Sequence, residues 1–254
     1  MKLDNLCVVL VAPSGALNIG SVARAMANFG VTDLRLVAPQ TDHNQDEARK
    51  MAVKATPILE QATVYDDLES ALANCHFALG TTRRFGKYRE NLLHPDEAAH
   101  ALLPLLARGR VALVFGREDR GLKTEELDLC QRLITIPTSD QLPSMNLAQS
   151  VAVCLYEVAK AHRSGNLASA GRKLATVAQL EDMFEHMRRS FREIGYLDPQ
   201  NPEHILRAIR RFLGRAALDP REVRILRGML SQIDWVEEER RRLAGEVRDD
   251  TVPD

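Results

Sequence analysis

The stretch Leu6-Cys7-Val8-Val9-Leu10-Val11-Ala12-Pro13-Ser14-Gly15-Ala16-Leu17-Asn18-Ile19-Gly20-Ser21-Val22-Ala23-Arg24 changes its hydrophobic period halfway. Its first six residues are all apolar and half of them are valine, which reads as a strand buried on both faces. After the Pro13-Ser14-Gly15 turn, Ile19, Val22, Ala23 and Met26 fall at helical spacing and can face that strand's sheet. Strand, glycine turn and helix in this order open an α/β domain.

Outward from this unit the alternation continues to about residue 162. The patterns predict strands over 6–11, 34–37, 63–65, 76–80, 111–115 and 133–136, and helices over 19–28, 46–55, 67–74, 95–107, 125–130 and 146–162. The fold class is therefore α/β with a largely parallel sheet across residues 1–162. Residues 163–176, with Ser164, Gly165, Asn166, Ser169 and Gly171, have the composition of a linker. Beyond them the pattern is purely helical, over 177–194, 202–213 and 220–242, which defines a small all-helical domain at 177–245. Thr176 and Gln179 spell a capping box, Asn201-Pro202 and Asp219-Pro220 each set a cap before a first-turn proline, and Gly195 and Gly214 are candidate stops. The acidic tail, 246–254, is expected to be disordered.

A chain of 254 residues with 45% apolar content can bury one large core and a smaller satellite. Cys7, Cys75, Cys130 and Cys154 stand singly in apolar surroundings and read as reduced core residues. No apolar run approaches the roughly 18 residues of a membrane span, and residues 1–5 lack a secretion-signal layout, so a cytoplasmic location is expected. The net charge of -1 conceals an asymmetry: Arg188 to Arg227 holds ten arginines, no lysine and five acidic residues. Such a segment suits bidentate phosphate contacts, and equally a solvated helical face.

Three loops at predicted strand ends carry the unusual polar and glycine content. In the first, Gly15 and Gly20 have phosphate-loop spacing, but Ser21 follows where a lysine belongs. What remains is a turn feeding a helix N-terminus able to hold an anion, with Asn18 just before the helix and Arg24 as the nearby cation. The second loop, Phe115-Gly116-Arg117-Glu118-Asp119-Arg120-Gly121-Leu122, pairs two glycines with four charges that could equally be a solvated turn. The third, from Ile136-Pro137 to Ser144-Met145-Asn146-Leu147, ends on candidate caps Ser144 and Asn146. No dinucleotide fingerprint, metal-ligand spacing or nucleophile triad accompanies them, and no metal is expected. The residues alone lead to an α/β domain with an anion site at its strand ends and a basic helical domain.

Taken together and in order, the three loops resemble the signature motifs of the SPOUT RNA methyltransferases of the TrmH type. Asn18 to Arg24 is similar to the first, Phe115 to Leu122 to the second, and Ile136 to Leu147 to the third. Met183-Phe184, Phe191-Arg192, Arg207 to Leu213 and Glu222 to Trp235 resemble the C-terminal half of the TrmJ subfamily. The resemblance implies a trefoil knot at the third motif, a homodimer, and S-adenosylmethionine as methyl donor. It also implies tRNA as partner, with transfer to the ribose 2′-hydroxyl of cytidine or uridine at position 32 of the anticodon loop. The cofactor is expected against Thr81, Thr82, Arg83, Gly116, Ile136, Pro143, Ser144 and Met145. Arg24 is the expected centre of catalysis, oriented with the ribose by Asn18, Glu118, Ser144 and Asn146. Arg207, Arg210, Arg211 and Arg215, at i, i+3, i+4 and i+8, form the expected tRNA-facing stripe, opposite an apolar face of Ile205, Leu206, Ile209, Phe212 and Leu213. Should that stripe be only a solvated face, the basic residues Arg83, Arg84 and Lys87 are the next candidates. Methylation of ribosomal RNA by the same fold, and RNA binding without catalysis, stay open as alternatives.

Overall fold

The computed structural model describes residues 3–83, 92–164 and 172–244. Strand β1 (Leu6–Val11) leads through the glycine turn into α1 (Ala16–Asn28), followed by β2 (Asp33–Val37), α2 (Asp46–Ala52), α3 (Thr56–Glu60), β3 (Thr63–Tyr65) and α4 (Leu68–Leu72). Then come β4 (Phe77–Thr81), α5 (Pro95–Leu106), β5 (Val111–Phe115), α6 (Thr124–Asp128), β6 (Arg132–Ile134) and α7 (Leu147–Arg163). All strands are parallel, in the order β3-β2-β1-β5-β4-β6. Because side chains alternate along a strand, Leu6, Val8 and Leu10 pack into a core with Ile19, Leu102 and Leu155, while Cys7, Val9 and Val11 join Leu72 and Leu127 on the other face. The wholly apolar β1 is thus a consequence of helices on both faces.

Several boundaries differ from the sequence expectation. Helix α1 starts at Ala16, so Asn18 lies in its first turn rather than ahead of it. The helix expected over 46–55 ends at Ala52, where Val53 takes φ +55, and the chain restarts as α3 with Pro57 in its first turn. Strand β6 has an unusual setting. Thr82 N–H donates to the Ile134 carbonyl on one side, while Leu93 N–H donates to Leu133 and Thr135 N–H to Leu93 on the other, all at 2.9 Å. Both ends of the Thr82-to-Leu93 connection therefore flank β6.

The remaining helices, α8 (Val177–Glu193), α9 (Glu203–Ala216) and α10 (Pro220–Ala244), enclose their own core of Met183, Phe184, Met187, Leu206, Val223 and Leu230. The Thr176 hydroxyl accepts from Gln179 N–H at 3.2 Å and the Gln179 side-chain Oε1 accepts from Thr176 N–H at 3.0 Å, so the capping box forms. Asp219 accepts from the amides of Arg221 and Glu222 and caps α10, and Gly195 follows α8 at φ +68. Gly214 does not stop α9; the helix runs on to Ala216 and Ala217 supplies the left-handed turn at φ +51. Nor does Asn201 cap α9, which begins after Pro202 without a side-chain cap. Phe212, expected on the apolar face, is half exposed.

Residues 172–176, within the expected linker, run along the seam between the two cores. Leu174 is buried in the α/β core and Ala175 in the helical one, and Val177 N–H donates to the Cys75 carbonyl at 2.7 Å. The rest of the expected linker, 165–171, and the tail, 246–254, lie outside the described residues. Two cysteines are not solitary: Cys7 and Cys75 have their sulfurs 3.7 Å apart, beside the buried Arg35 guanidinium, itself paired with Asp33. Burial pushes the Cys154 thiol up to about 12, which keeps it protonated and inert. No described helix is long and apolar enough to cross a membrane.

Candidate active site

Strands β1 and β5 are neighbours, with Leu10 opposite Phe115, so their C-terminal loops meet. Open α/β sheets bind ligands at that edge. Here the helix N-terminus is already occupied by an anion of the protein's own. The Glu118 carboxylate accepts from Ser14 N–H at 3.2 Å, Ser14 Oγ at 3.1 Å, Gly15 N–H at 3.1 Å and Asn18 Nδ2 at 3.1 Å. The turn read as an external anion site is therefore a seat for Glu118. Partial burial alone would raise its pKa, but hydrogen bonds from Asn18 and from backbone amides outweigh that and hold the carboxyl below its ordinary range.

The chain of contacts continues into the third loop. Asn146 Nδ2 donates to Asn18 Oδ1 at 2.9 Å, while Asn146 Oδ1 caps α7 by accepting from the amides of Ala148 and Gln149. Glu118, Asn18 and Asn146, one from each loop, thus form a single hydrogen-bonded line.

Beside this line lies a cavity of about 400 Å³, within the range of small-molecule sites. Thr81, Thr82, Arg83, Gly116, Ile136, Pro143, Ser144 and Met145, the expected cofactor contacts, all border it. Ile134, Leu122 and Leu147 add apolar wall. The second loop folds back tightly across Gly116: a Cβ there would sit 2.2 Å from the Gly121 carbonyl carbon, and Gly121 itself needs φ +69. Of its four charges, two are structural. Arg117 makes a two-point ion pair with Glu126 at 2.9 and 3.0 Å, both largely shielded from solvent, while Asp119 and Arg120 pair in solvent. Nothing in the sequence marked the Arg117–Glu126 pair, since nine residues separate them across a turn.

Arg24 stands apart. It is exposed on the outer face of α1, shares that face with Leu17 and Ser21, does not border the cavity, and has no hydrogen-bonding or ion-pair partner among the described residues. The arginine stripe is also divided. Arg207 is bound to Asp128 at 2.6 Å, and Arg210 is clamped by Glu181 at 2.5 and 2.6 Å while lying over the Phe184 ring, 4.3 Å from its centroid. Arg211 and Arg215 border a second, smaller cavity with Arg132, a residue that the sequence patterns did not single out. Arg83 is described; Arg84 and Lys87 lie outside the described residues. No group of three metal-ligating side chains lies together among the described residues.

A six-stranded parallel sheet whose strand-end loops converge on one cavity, with β6 held between two ends of the same connection, defines a SPOUT-class α/β fold. The chain belongs to the SpoU rRNA Methylase family, which matches residues 5–156, and residues 178–245 match the C-terminal domain of the tRNA methyltransferase TrmJ. It is 40% identical over 246 residues to a tRNA (cytidine/uridine/adenosine-2′-O-)-methyltransferase TrmJ of Pseudomonas aeruginosa, covering 92% of this chain and 95% of that protein. A tRNA (cytidine/uridine-2′-O-)-methyltransferase TrmJ of Pectobacterium atrosepticum is 33% identical, with 93% and 100% covered. The crystal structure of TrmJ from Z. mobilis ZM4 superposes with a TM-score of 0.77 at 33% identity, covering 90% of this chain and 98% of that one.

Proposed function

We propose that this protein transfers a methyl group from S-adenosylmethionine to the ribose 2′-hydroxyl of cytidine or uridine at position 32 of the tRNA anticodon loop. The observation that carries the reading is the line Glu118–Asn18–Asn146, which ties all three loops together at the rim of a cavity of suitable size. The C-terminal match to TrmJ favours tRNA over ribosomal RNA, and the relatives' names supply the ribose 2′-oxygen and the pyrimidines. The intact polar line speaks against a decayed, merely RNA-binding site.

The cavity suits the cofactor: Ile134, Ile136 and Leu147 offer an apolar slot, and Gly116 leaves its backbone open to close approach. When bound, S-adenosylmethionine supplies an activated methyl on a sulfonium. The protein's own task is to align the hydroxyl and stabilise the developing oxyanion. Glu118 is fully engaged by its donors, so it acts as a positioning group and not as the proton acceptor. Arg24, with its planar fork of donors, serves as a clamp for phosphate and oxyanion. Its exposed place on α1, beside the half-exposed Leu17, supports a homodimer in which a second copy covers that face and brings Arg24 to a shared site. The flanking of β6 by Thr82 and Leu93 supports a trefoil knot there, and the two family matches support a catalytic domain over 1–162 and an RNA-binding one over 177–245. A cytoplasmic location follows from the tRNA substrate.

Incubation with labelled S-adenosylmethionine and either total tRNA or ribosomal RNA tests the reading. Label in tRNA alone is expected; label in ribosomal RNA alone, or in neither, refutes it.

A further inference from the structure

The second cavity lies at the seam between the two domains and has a volume of about 110 Å³. Its floor is the start of β6 and its wall is α9 from Arg207 to Arg215. The approach is close because Gly214 faces Gln131: a Cβ on Gly214 would lie 3.2 Å from the Gln131 Cα. That contact brings Arg215 of the helical domain over Arg132 of the α/β domain.

Five arginines border this small space, with a single carboxylate, Asp128, among the lining. Asp128 is taken by Arg207, and Arg210 is taken by Glu181. Arg132 and Arg215 have no hydrogen-bonding or ion-pair partner among the described residues. Burial and then the like charge of Arg215 make the Arg132 guanidinium easier to deprotonate than usual. Arg132, which is partly shielded, and the exposed Arg215 bring two like charges to one cavity, which opposes docking of the domains unless an anion completes the arrangement. Guanidinium forks suit the oxygens of a phosphate, which they can hold two at a time.

We propose that Arg132 and Arg215 form a binding site for one backbone phosphate of the RNA, built across the seam and available only when the two domains are docked. The site rests on the reading of RNA as substrate. It lies at the beginning of β6, whose far end, Ile134, borders the cofactor cavity. Strand geometry separates Arg132 from Ile134 by roughly 7 Å, so an RNA strand held at the seam runs along this sheet edge toward the site of transfer. This division also explains the stripe on α9: Arg207 and Arg210 fasten the helix, and the neighbouring Arg215 is left to the ligand.

The test is tRNA binding by the full-length protein across a range of salt. The variants are R132A, R215A, the double R132A/R215A and the charge-keeping R132K/R215K, with S-adenosylmethionine affinity as a check on folding. Each alanine variant is expected to weaken tRNA binding roughly tenfold and to flatten the plot of log affinity against log salt by about 0.7 to 0.9. The double variant is expected to lose little more than either single one, because both arginines hold the same phosphate. R132K/R215K should keep the wild-type slope. An unchanged slope in R132A/R215A would overturn the proposal, as would a lysine variant that loses affinity as fully as the alanine one, since that marks a packing role. Wild-type methyl transfer to tRNA is measured alongside: its absence counts against the enzymatic reading, whereas its presence with a normal R132A/R215A counts against the seam site alone.

Discussion

Asn146 donates a hydrogen bond of 2.9 Å to Asn18, joining residues 128 positions apart that begin the last and first helices of the α/β domain. Asn18 in turn spends its amide nitrogen on Glu118 at 3.1 Å. With oxygen and nitrogen both committed, Asn18 fixes the spacing of the first loop against the other two. Asn18→Ala is therefore expected to lower kcat at least tenfold while changing cofactor affinity little, because the line borders the cavity without lining its apolar slot. Single-turnover rates with calorimetry on the same variant check this. Equal loss of both would mean that Asn18 supports the cofactor pocket itself.

Glu118 links this arrangement to pH. Its carboxyl is held below its ordinary range in the folded protein, so its contribution to stability is complete above the unfolded value of about 4.3 and is lost as pH falls through the depressed folded value. Glu118→Gln is expected to cost on the order of 1 kcal/mol at neutral pH. The difference in Tm between variant and wild type should be constant from pH 6 to 8 and shrink at acid pH. A difference that persists unchanged at the lowest pH that keeps the protein folded would show that charge plays no part.

Gly116→Ala places a methyl group 2.2 Å from the Gly121 carbonyl carbon, against backbone that cannot swing aside. The second loop must open, at a cost of about 1–3 kcal/mol. Cofactor binding should be lost by calorimetry even where thermal unfolding still reports a folded domain. Retained affinity would mean that this loop does not shape the pocket.

Most of the fold was legible because apolar periodicity is local: β1, β3 and β5 have the bounds that their patterns give. The break at Val53 and the run of α9 through Gly214 were not, since a left-handed valine and a glycine packed against Gln131 answer to tertiary contacts rather than to local preference. In the site, the three loops were legible through their resemblance, and the expected cofactor contacts all border one cavity. Partnerships were not legible. No spacing rule pairs Arg117 with Glu126, fills the helix N-terminus with Glu118, or ties Arg207 to Asp128.

Arg210 tests the distinction between fastening and binding. Its side chain is 13% exposed, clamped by Glu181 and stacked on Phe184, and a carboxylate left largely buried and unpaired is costly. Arg210→Ala is expected to destabilise the helical domain by about 2 kcal/mol or more, seen as a lower Tm, with the salt slope of tRNA binding unchanged. A flattened slope at unchanged Tm would return Arg210 to the RNA.

The account stands most directly on where the methyl group goes. Mass-spectrometric mapping of tRNA treated with the wild-type protein and S-adenosylmethionine should find one new 2′-O-methylated pyrimidine, at position 32 of the anticodon loop. The Arg24→Ala variant should still bind the cofactor by calorimetry, since Arg24 does not border the cavity, yet leave that ribose unmodified. A methyl group on a base, at another position such as 34, or placed equally well without Arg24 would contradict the account.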